Sequence, residues 1–396
     1  MKIIFRRLLR IIDYFSVLHR LRFLPTKIRY PVMIVDRTGS AVIAEGIPKN
    51  ISFFTLPVRD EERYLNLEIL RHFIFRLNLV FRGELNMLGL YVTAVAYALN
   101  TKLLITFIDN CSWDKGIHNT CPFRVLTVQN GLRSETALRR KSYDVFLGLG
   151  DRDTLIASDS AVEVETVGSL RLGLAYRNRR LFLKNSPPKS VDILFISQFR
   201  PDFWDSHEEV DLLHVLVIKT TIGWIRQIAQ AENLSVGIAL TAKGENREHW
   251  YAREKAVYAE LLKCSFKEYH RELFEIRGID CSYGGLFDAR AVVSISSTLC
   301  FESLGIGKRP IMTTRLFGDK DVEHYDWFPV DEFDQFMIEP TYHSFRDAIL
   351  TEIHNNEKLD YFGNFSTSYF CAFNTKALPL DLVSDNILRH MSDHKQ

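Results

Sequence analysis

The sequence predicts an α/β protein made of two doubly wound halves, each a parallel sheet covered by helices on both faces. Three observations carry this. Short apolar strands alternate with helical periods from Tyr30 to Gly168, and the alternation restarts at Val191 and runs to Thr313. Between the two runs lies a polar, basic stretch, Leu172 to Ser190, that contains Asn185-Ser186-Pro187-Pro188. The chain has 396 residues and 46% hydrophobic content, enough to bury two cores of ordinary size.

In the first half, residues 31–35 form an apolar strand that stops at Asp36-Arg37-Thr38-Gly39. Residues 61–80 and 84–99 have helical periodicity. Residues 102–108 read as a strand ending at Asp109-Asn110, and 124–128 as one ending at Gln129-Asn130-Gly131. Residues 144–148 and 161–167 are two more strands, the latter closed by Gly168-Ser169. The second half reads as a strand at 191–196, a helix near 209–231, a strand at 234–240 and a helix near 248–263. A strand–turn–helix unit at 292–305 follows, then a strand at 311–313. The predicted organisation is therefore residues 1–29, a basic amphipathic helix; 30–171, the first domain; 172–190, the linker; and 191–342, the second domain. Helices at 343–396 are expected to pack back on the first domain.

Composition removes several classes. A net charge of +1 gives no global pull towards nucleic acid. The six cysteines are scattered without a CxxC pair, so a disulfide framework or zinc site is not expected and a reducing, cytoplasmic setting fits. The 12 histidines are dispersed, and Asp151-Arg152-Asp153 reads as the start of a helix, so no metal is expected. No GxGxxG or P-loop motif occurs. No apolar run reaches the roughly 18 uncharged residues of a membrane span. Residues 1–29 carry eight Lys and Arg against Asp13, interleaved with Ile, Leu and Phe, a pattern suited to an anionic membrane surface.

The most informative segment is Val292 to Pro310, VVSISSTLCFESLGIGKRP. A strand runs into Ser296, Ser297 and Thr298, which open a short helix. Free N–H groups at such a start attract a phosphate. Glu302, one turn on, can accept two ribose hydroxyls. Phosphate and ribose so placed describe a nucleotide-sugar site. Ligands of open α/β sheets bind beyond the carboxyl ends of the strands. Gln198, Arg200 and Lys243 at such ends are candidates to hold the donor, with the two cations neutralising its phosphate. Gln129, Asn130, Gly131 and Arg133 are candidates to line the cleft for the acceptor. Asp109 is the leading candidate for the general base that deprotonates an acceptor hydroxyl, with Asp36 and Glu135 as competitors.

The order ITFIDN, TVQNGLR, VGSLRLG, ILFISQFR and SSTLCFESLGIGKRP resembles bacterial surface-carbohydrate biosynthesis proteins, glycosyltransferases of the GT-B architecture, over roughly residues 30 to 320. The SST…E unit is similar to the donor loop of GT-B enzymes at large, including sialyl- and Kdo-transferases and UDP-GlcNAc 2-epimerases. The resemblance implies two facing Rossmann-like domains, with the donor nucleotide on Ser296, Ser297, Thr298 and Glu302 of the second and the acceptor in the first. It implies work on lipid-linked or nascent glycans at the inner face of the cytoplasmic membrane. The chain lacks the His-Pro pair of many sialyl- and Kdo-transferases and the arginine-rich end of the epimerase loop.

The expected function is metal-independent glycosyl transfer from a nucleotide sugar, CMP- or UDP-linked, to a capsule, O-antigen or lipopolysaccharide acceptor. No cofactor beyond that co-substrate is expected. A nucleotide-sugar 2-epimerase on the same fold and a non-catalytic scaffold subunit are the alternatives.

Overall fold

The computed structural model describes residues 21–25, 27–37, 39–58, 63–107, 113, 116–139, 143–179, 191–241, 248–269, 282–318, 336–354, 367–374 and 376–392. The chain divides into two compact units. Unit 1 is Met1–Asn130, Glu135–Leu170 and Thr375–Gln396; unit 2 is Gly131–Ser134 and Arg171–Asn374.

Among the described residues of unit 1 the strands are β1 (Leu21–Phe23), β2 (Val32–Val35), β3 (Phe53–Leu56), β4 (Arg63–Leu65), β5 (Leu103–Thr106), β6 (Arg124–Val128), β7 (Tyr143–Gly148) and β8 (Ala161–Thr166). Six of them form one parallel sheet in the order β3-β2-β5-β6-β7-β8. The runs VMIV and LLIT in β2 and β5 are buried throughout, as a sheet covered on both faces requires. The Met87–Ala98 helix covers it and is buried for most of its length; the Asn86 side chain caps it by accepting from the Gly89 amide at 2.7 Å. The Pro379–Ser392 helix buries Leu380, Val383 and Ile387 in the same unit. Its Arg389 pairs with Glu163 and Glu165 of β8 at 2.5 and 3.2 Å.

Unit 2 holds β9 (Val191–Ile196), β10 (Val236–Ala239), β11 (Lys267–Tyr269), β12 (Ala289–Ser294) and β13 (Pro310–Met312), all parallel, in the order β11-β10-β9-β12-β13. The Glu209–Glu232 helix is long and apolar enough to cross a membrane. Its Val217, Ile218, Ile222, Ile225 and Ile228 are instead buried in a core with Phe195, Ile238 and Val293 of the strands and Phe345 and Ile349 of the Tyr342–His354 helix.

Several elements differ from expectation. Leu21–Phe23, assigned to the N-terminal helix, is a strand paired in parallel with β4. Residues 61–80 are not one helix: Arg63–Leu65 is a strand, and the helices Leu67–Phe75 and Leu77–Phe81 meet at Arg76, whose φ of −108° and ψ of 5° leave the helical region. The edge strands β3 and β11 are additions, short and partly exposed. Tyr342–His354 packs in unit 2; of the C-terminal helices, Pro379–Ser392 belongs to unit 1. Residues 1–20 and 180–190 lie outside the described residues.

Gly39 closes the turn after β2 with φ +73°, and a Cβ there would overlap the Phe107 ring. Gly39→Ala is therefore expected to cost about 2–4 kcal/mol, combining a left-handed non-glycine backbone with overpacking. Urea denaturation of the purified variant checks it.

Candidate functional site

The strand order of unit 2 contains a switch point. From β9 the chain moves outward to β10 and β11, then returns to the other side of β9 with β12 and β13. A crevice opens beyond the carboxyl ends of two strands where the winding reverses, here β9 and β12. The residues at those two ends are Ser197-Gln198 and Ile295-Ser296-Ser297.

Hydrogen bonds fix the two ends together. The Gln198 side chain accepts from the Ser296 amide at 2.8 Å and donates to the Ser296 hydroxyl at 3.1 Å. The Ser297 amide donates to the Ser294 hydroxyl at 3.2 Å. The buried His214 ring donates through Nε2 to the Gln198 carbonyl at 3.1 Å, between the rings of Phe203 and Phe317. Burial holds the His214 pKa below its usual value. Behind the ends of β9 and β10, the fully buried Glu254 accepts from the Ser197 hydroxyl and from the Thr241 amide at 2.9 Å. Tyr258 bonds the same Ser197 hydroxyl at 2.7 Å, and burial pushes its phenol well above the usual range.

From Ser297 the chain turns into the Thr298–Glu302 helix, continues as a 3₁₀ turn over Ser303–Ile306, and ends at Gly307 with φ +74°. Ser297 stands at the N-cap, yet its side chain makes no capping bond to the helix. Glu302 is buried and accepts from the Tyr283 hydroxyl. Tyr283 belongs to the Ser282–Asp288 helix, which lies so close to the sheet that a Cβ at Gly285 would be 2.9 Å from Leu194. Lys308, of the Gly-Lys-Arg-Pro segment, donates to the Leu286 carbonyl at 2.5 Å and to that of Ala289, closing the C-terminal end of the same helix. The motif thus builds both the turn and the helix that orients its carboxylate.

The remaining predicted residues are distributed as follows. Gly131 and Thr298 both belong to unit 2, and a Cβ on Gly131 would lie 3.1 Å from the Thr298 hydroxyl, so the Gly131–Ser134 segment meets the Ser-Ser-Thr turn. Arg133 there donates to the Leu132 carbonyl at 2.7 Å. Arg200 is exposed, with its guanidinium 5.0 Å from the Phe203 ring. Lys243 and Asp109 lie outside the described residues.

In unit 1, Asn130 is half-buried at the end of the β6 segment. Gln129, expected to line a cleft, is buried inside unit 1. Its carbonyl oxygen accepts from the Leu149 amide at 2.7 Å and its nitrogen donates to Asp153 at 2.5 Å, so it brackets β6 to the turn after β7. Asp153 is also paired with the buried Arg152. Glu135 is exposed and pairs with Arg139 at 2.7 Å. Asp36 stands at the carboxyl end of β2, where the winding of unit 1 reverses between β2 and β5. It is buried and has φ +81°. A non-glycine residue held there is strained, and such strain collects at functional positions.

Among the described residues no group of three or more His, Cys, Asp or Glu could hold a metal ion. Glu254, Tyr258 and Tyr283 were not anticipated; the strand-end hydroxyl of Ser197 was the local cue to the first two.

No protein-family model matches the sequence, and no curated protein matches it. Solved structures do match. UDP-GlcNAc 2-epimerase from Neisseria meningitidis, bound to UDP-GlcNAc, superposes with a TM-score of 0.52 and 11% identity over 91% of this chain and 99% of that one. The Methanocaldococcus jannaschii UDP-GlcNAc 2-epimerase, in complex with UDP-GlcNAc and UDP, gives 0.51 and 12% over 91% and 99%. The wall teichoic acid polymerase TagF gives 0.54 and 10% over 98% of each chain.

This chain has the GT-B fold. At these identities the likeness concerns architecture. In GT-B terms, units 1 and 2 are its two Rossmann-like domains.

Proposed function

We propose that this GT-B protein is a metal-independent glycosyltransferase that moves a sugar from a nucleotide-sugar donor, CMP- or UDP-linked, to a surface-polysaccharide acceptor. One observation carries the reading: a buried carboxylate, Glu302, stands one turn behind the Ser296-Ser297-Thr298 opening at the switch point of unit 2. Phosphate oxygens would lie against the first amides of the helix, those of Thr298 and Leu299, because the Ser296 and Ser297 amides are bonded to Gln198 and Ser294, and the ribose hydroxyls would donate to Glu302. An acceptor hydroxyl oxygen attacks the anomeric carbon, the bond from that carbon to the phosphate oxygen breaks, and a carboxylate takes the hydroxyl proton. Asp36 and Asp109 are the candidates for that base, and Arg200 and Lys243 for stabilising the departing phosphate. The acceptor is a capsule, O-antigen or lipopolysaccharide glycan at the inner face of the cytoplasmic membrane, where the basic residues 1–29 would help hold the enzyme.

A second reading, a nucleotide-sugar 2-epimerase, rests on the fold shared with two such enzymes over 91% of this chain, as the first is compatible with the fold shared with TagF. It needs no acceptor. Thermal unfolding in CMP, UDP, GDP and dTDP, followed by product analysis of the matching nucleotide sugar with and without a lipid-linked glycan acceptor, separates the readings. A bound nucleotide at about 100 times its Kd stabilises by about 2.7 kcal/mol. Nucleotide release that requires acceptor supports transfer. An epimerised nucleotide sugar without acceptor supports the second reading. No stabilisation by any nucleotide removes both and leaves the scaffold role.

A further inference from the structure

The peptide that joins Gln198 to Phe199 is held at both ends by side chains. β9 ends at Ile196, and the Ser197 amide still donates to the Ala239 carbonyl of β10 at 3.0 Å. The peptide beyond it departs from that ladder. Its N–H, from Phe199, donates to the Ser197 hydroxyl at 3.1 Å. Its C=O, from Gln198, accepts from His214 Nε2 at 3.1 Å. A carbonyl can only accept, so Nε2 carries a proton.

Both clamping side chains are themselves fixed. The Ser197 hydroxyl is bonded to Glu254 and, at 2.7 Å, to Tyr258, both on the Glu248–Leu262 helix, and the Thr241 hydroxyl donates to it at 3.1 Å. His214 belongs to the Glu209–Glu232 helix and is buried between the Phe203 and Phe317 rings. Two helices thus reach one peptide plane. Burying an imidazole among aromatic rings is costly where a phenyl ring would fill the space, and what the imidazole adds is a donor in a single direction.

The residue so held is the one that joins the two strand ends at the switch point. Gln198 accepts from the Ser296 amide and donates to the Ser296 hydroxyl. A side chain's rotamer depends on the φ and ψ of its own residue, and turning the Gln198–Phe199 peptide changes ψ at Gln198. The clamp therefore governs where the Gln198 carboxamide points, and that carboxamide fixes the turn leading into the Thr298–Glu302 helix.

We propose that His214 is a positioning residue for nucleotide binding. Through the Gln198–Phe199 peptide it sets Gln198, and through Gln198 it sets the turn in the form that receives a phosphate at the first amides of the helix. This rests on the donor site proposed above and adds to it a residue that does not itself touch the nucleotide.

The test is calorimetric titration, on the full chain, of the nucleotide that stabilises wild type. His214→Phe keeps a ring between Phe203 and Phe317 and removes the donor; it is expected to weaken binding by about 10-fold. His214→Gln loses the ring but can place an amide nitrogen near the Nε2 position, and is expected to stay within about threefold of wild type. His214→Met is a second donor-free variant, with a side chain that adapts to the space, should the phenyl ring not be accommodated. Gln198→Met is expected to weaken binding by itself, and adding His214→Phe to it should cost little more, because the two act in series. A role confined to packing gives the reverse order, with the glutamine variant weaker than the phenylalanine variant. That order, unaltered affinity in both donor-free variants, or full additivity with Gln198→Met would each overturn the inference while leaving the donor site standing. Absence of nucleotide binding by wild type would overturn the donor site, and the role of His214 with it.

Discussion

Glu302→Gln is expected to weaken nucleotide binding by about 10- to 100-fold while the protein stays folded, the loss of a hydrogen bond to a charged acceptor being about 1.5–3 kcal/mol. Glutamine is close in size to glutamate and can still accept from Tyr283, so the packing around the buried side chain is kept. It loses the charge, and its second polar atom becomes a donor, which faces the ribose hydroxyls with the wrong partner. Calorimetric titration of the nucleotide that stabilises wild type reads the change. Tyr283→Phe separates orientation from contact: it leaves the carboxylate in place and releases its hydroxyl partner, so a smaller loss is expected. Equal affinity for wild type and Glu302→Gln would contradict the ribose role.

Asp153→Ala is expected to cost about 3–5 kcal/mol, the largest stability effect anticipated in the chain, because it breaks a buried ion pair from one side. Arg152 and Asp153 are both almost wholly buried, and Asp153 also accepts from Gln129. The alanine removes this carboxylate from the guanidinium and this acceptor from the Gln129 amide. A chain of two units does not unfold in a single step as a rule, so the appropriate measurement is hydrogen exchange of β6 and β7. Those amides are expected to lose protection while β9 and β12 keep theirs. Arg152→Met combined with Asp153→Leu should recover much of the loss, since an apolar pair carries no unpaired charge. Uniform loss of protection across both units would refute the local account.

The doubly wound halves were legible because buried parallel strands are continuous apolar runs, as in Val32–Val35 and Leu103–Thr106. β3 and β11 were hidden because edge strands are short and half-exposed, and Lys267-Glu268-Tyr269 has no apolar run to read. The break at Arg76 carries no proline or glycine and left no mark in the periodicity. The Ser-Ser-Thr turn and Glu302 were readable because the site lies within one local segment, but Tyr283, 19 residues upstream, meets Glu302 only through the fold. Gln129 shows the limit from the other side. Its position after a strand suggested a ligand contact, and only Leu149 and Asp153, 20 and 24 residues away, reveal it as a bracket.

The chain completes unit 1 last. Its sheet ends at Thr166, but Leu380, Val383 and Ile387, which cover part of that unit, follow more than two hundred residues of unit 2. At typical synthesis rates the interval on the ribosome is roughly 10–45 s. During that time unit 1 presents an uncovered apolar strip to chaperones and to other nascent chains. The second unit, whose main strands and covering helices follow one another without a long interruption, can close before its predecessor.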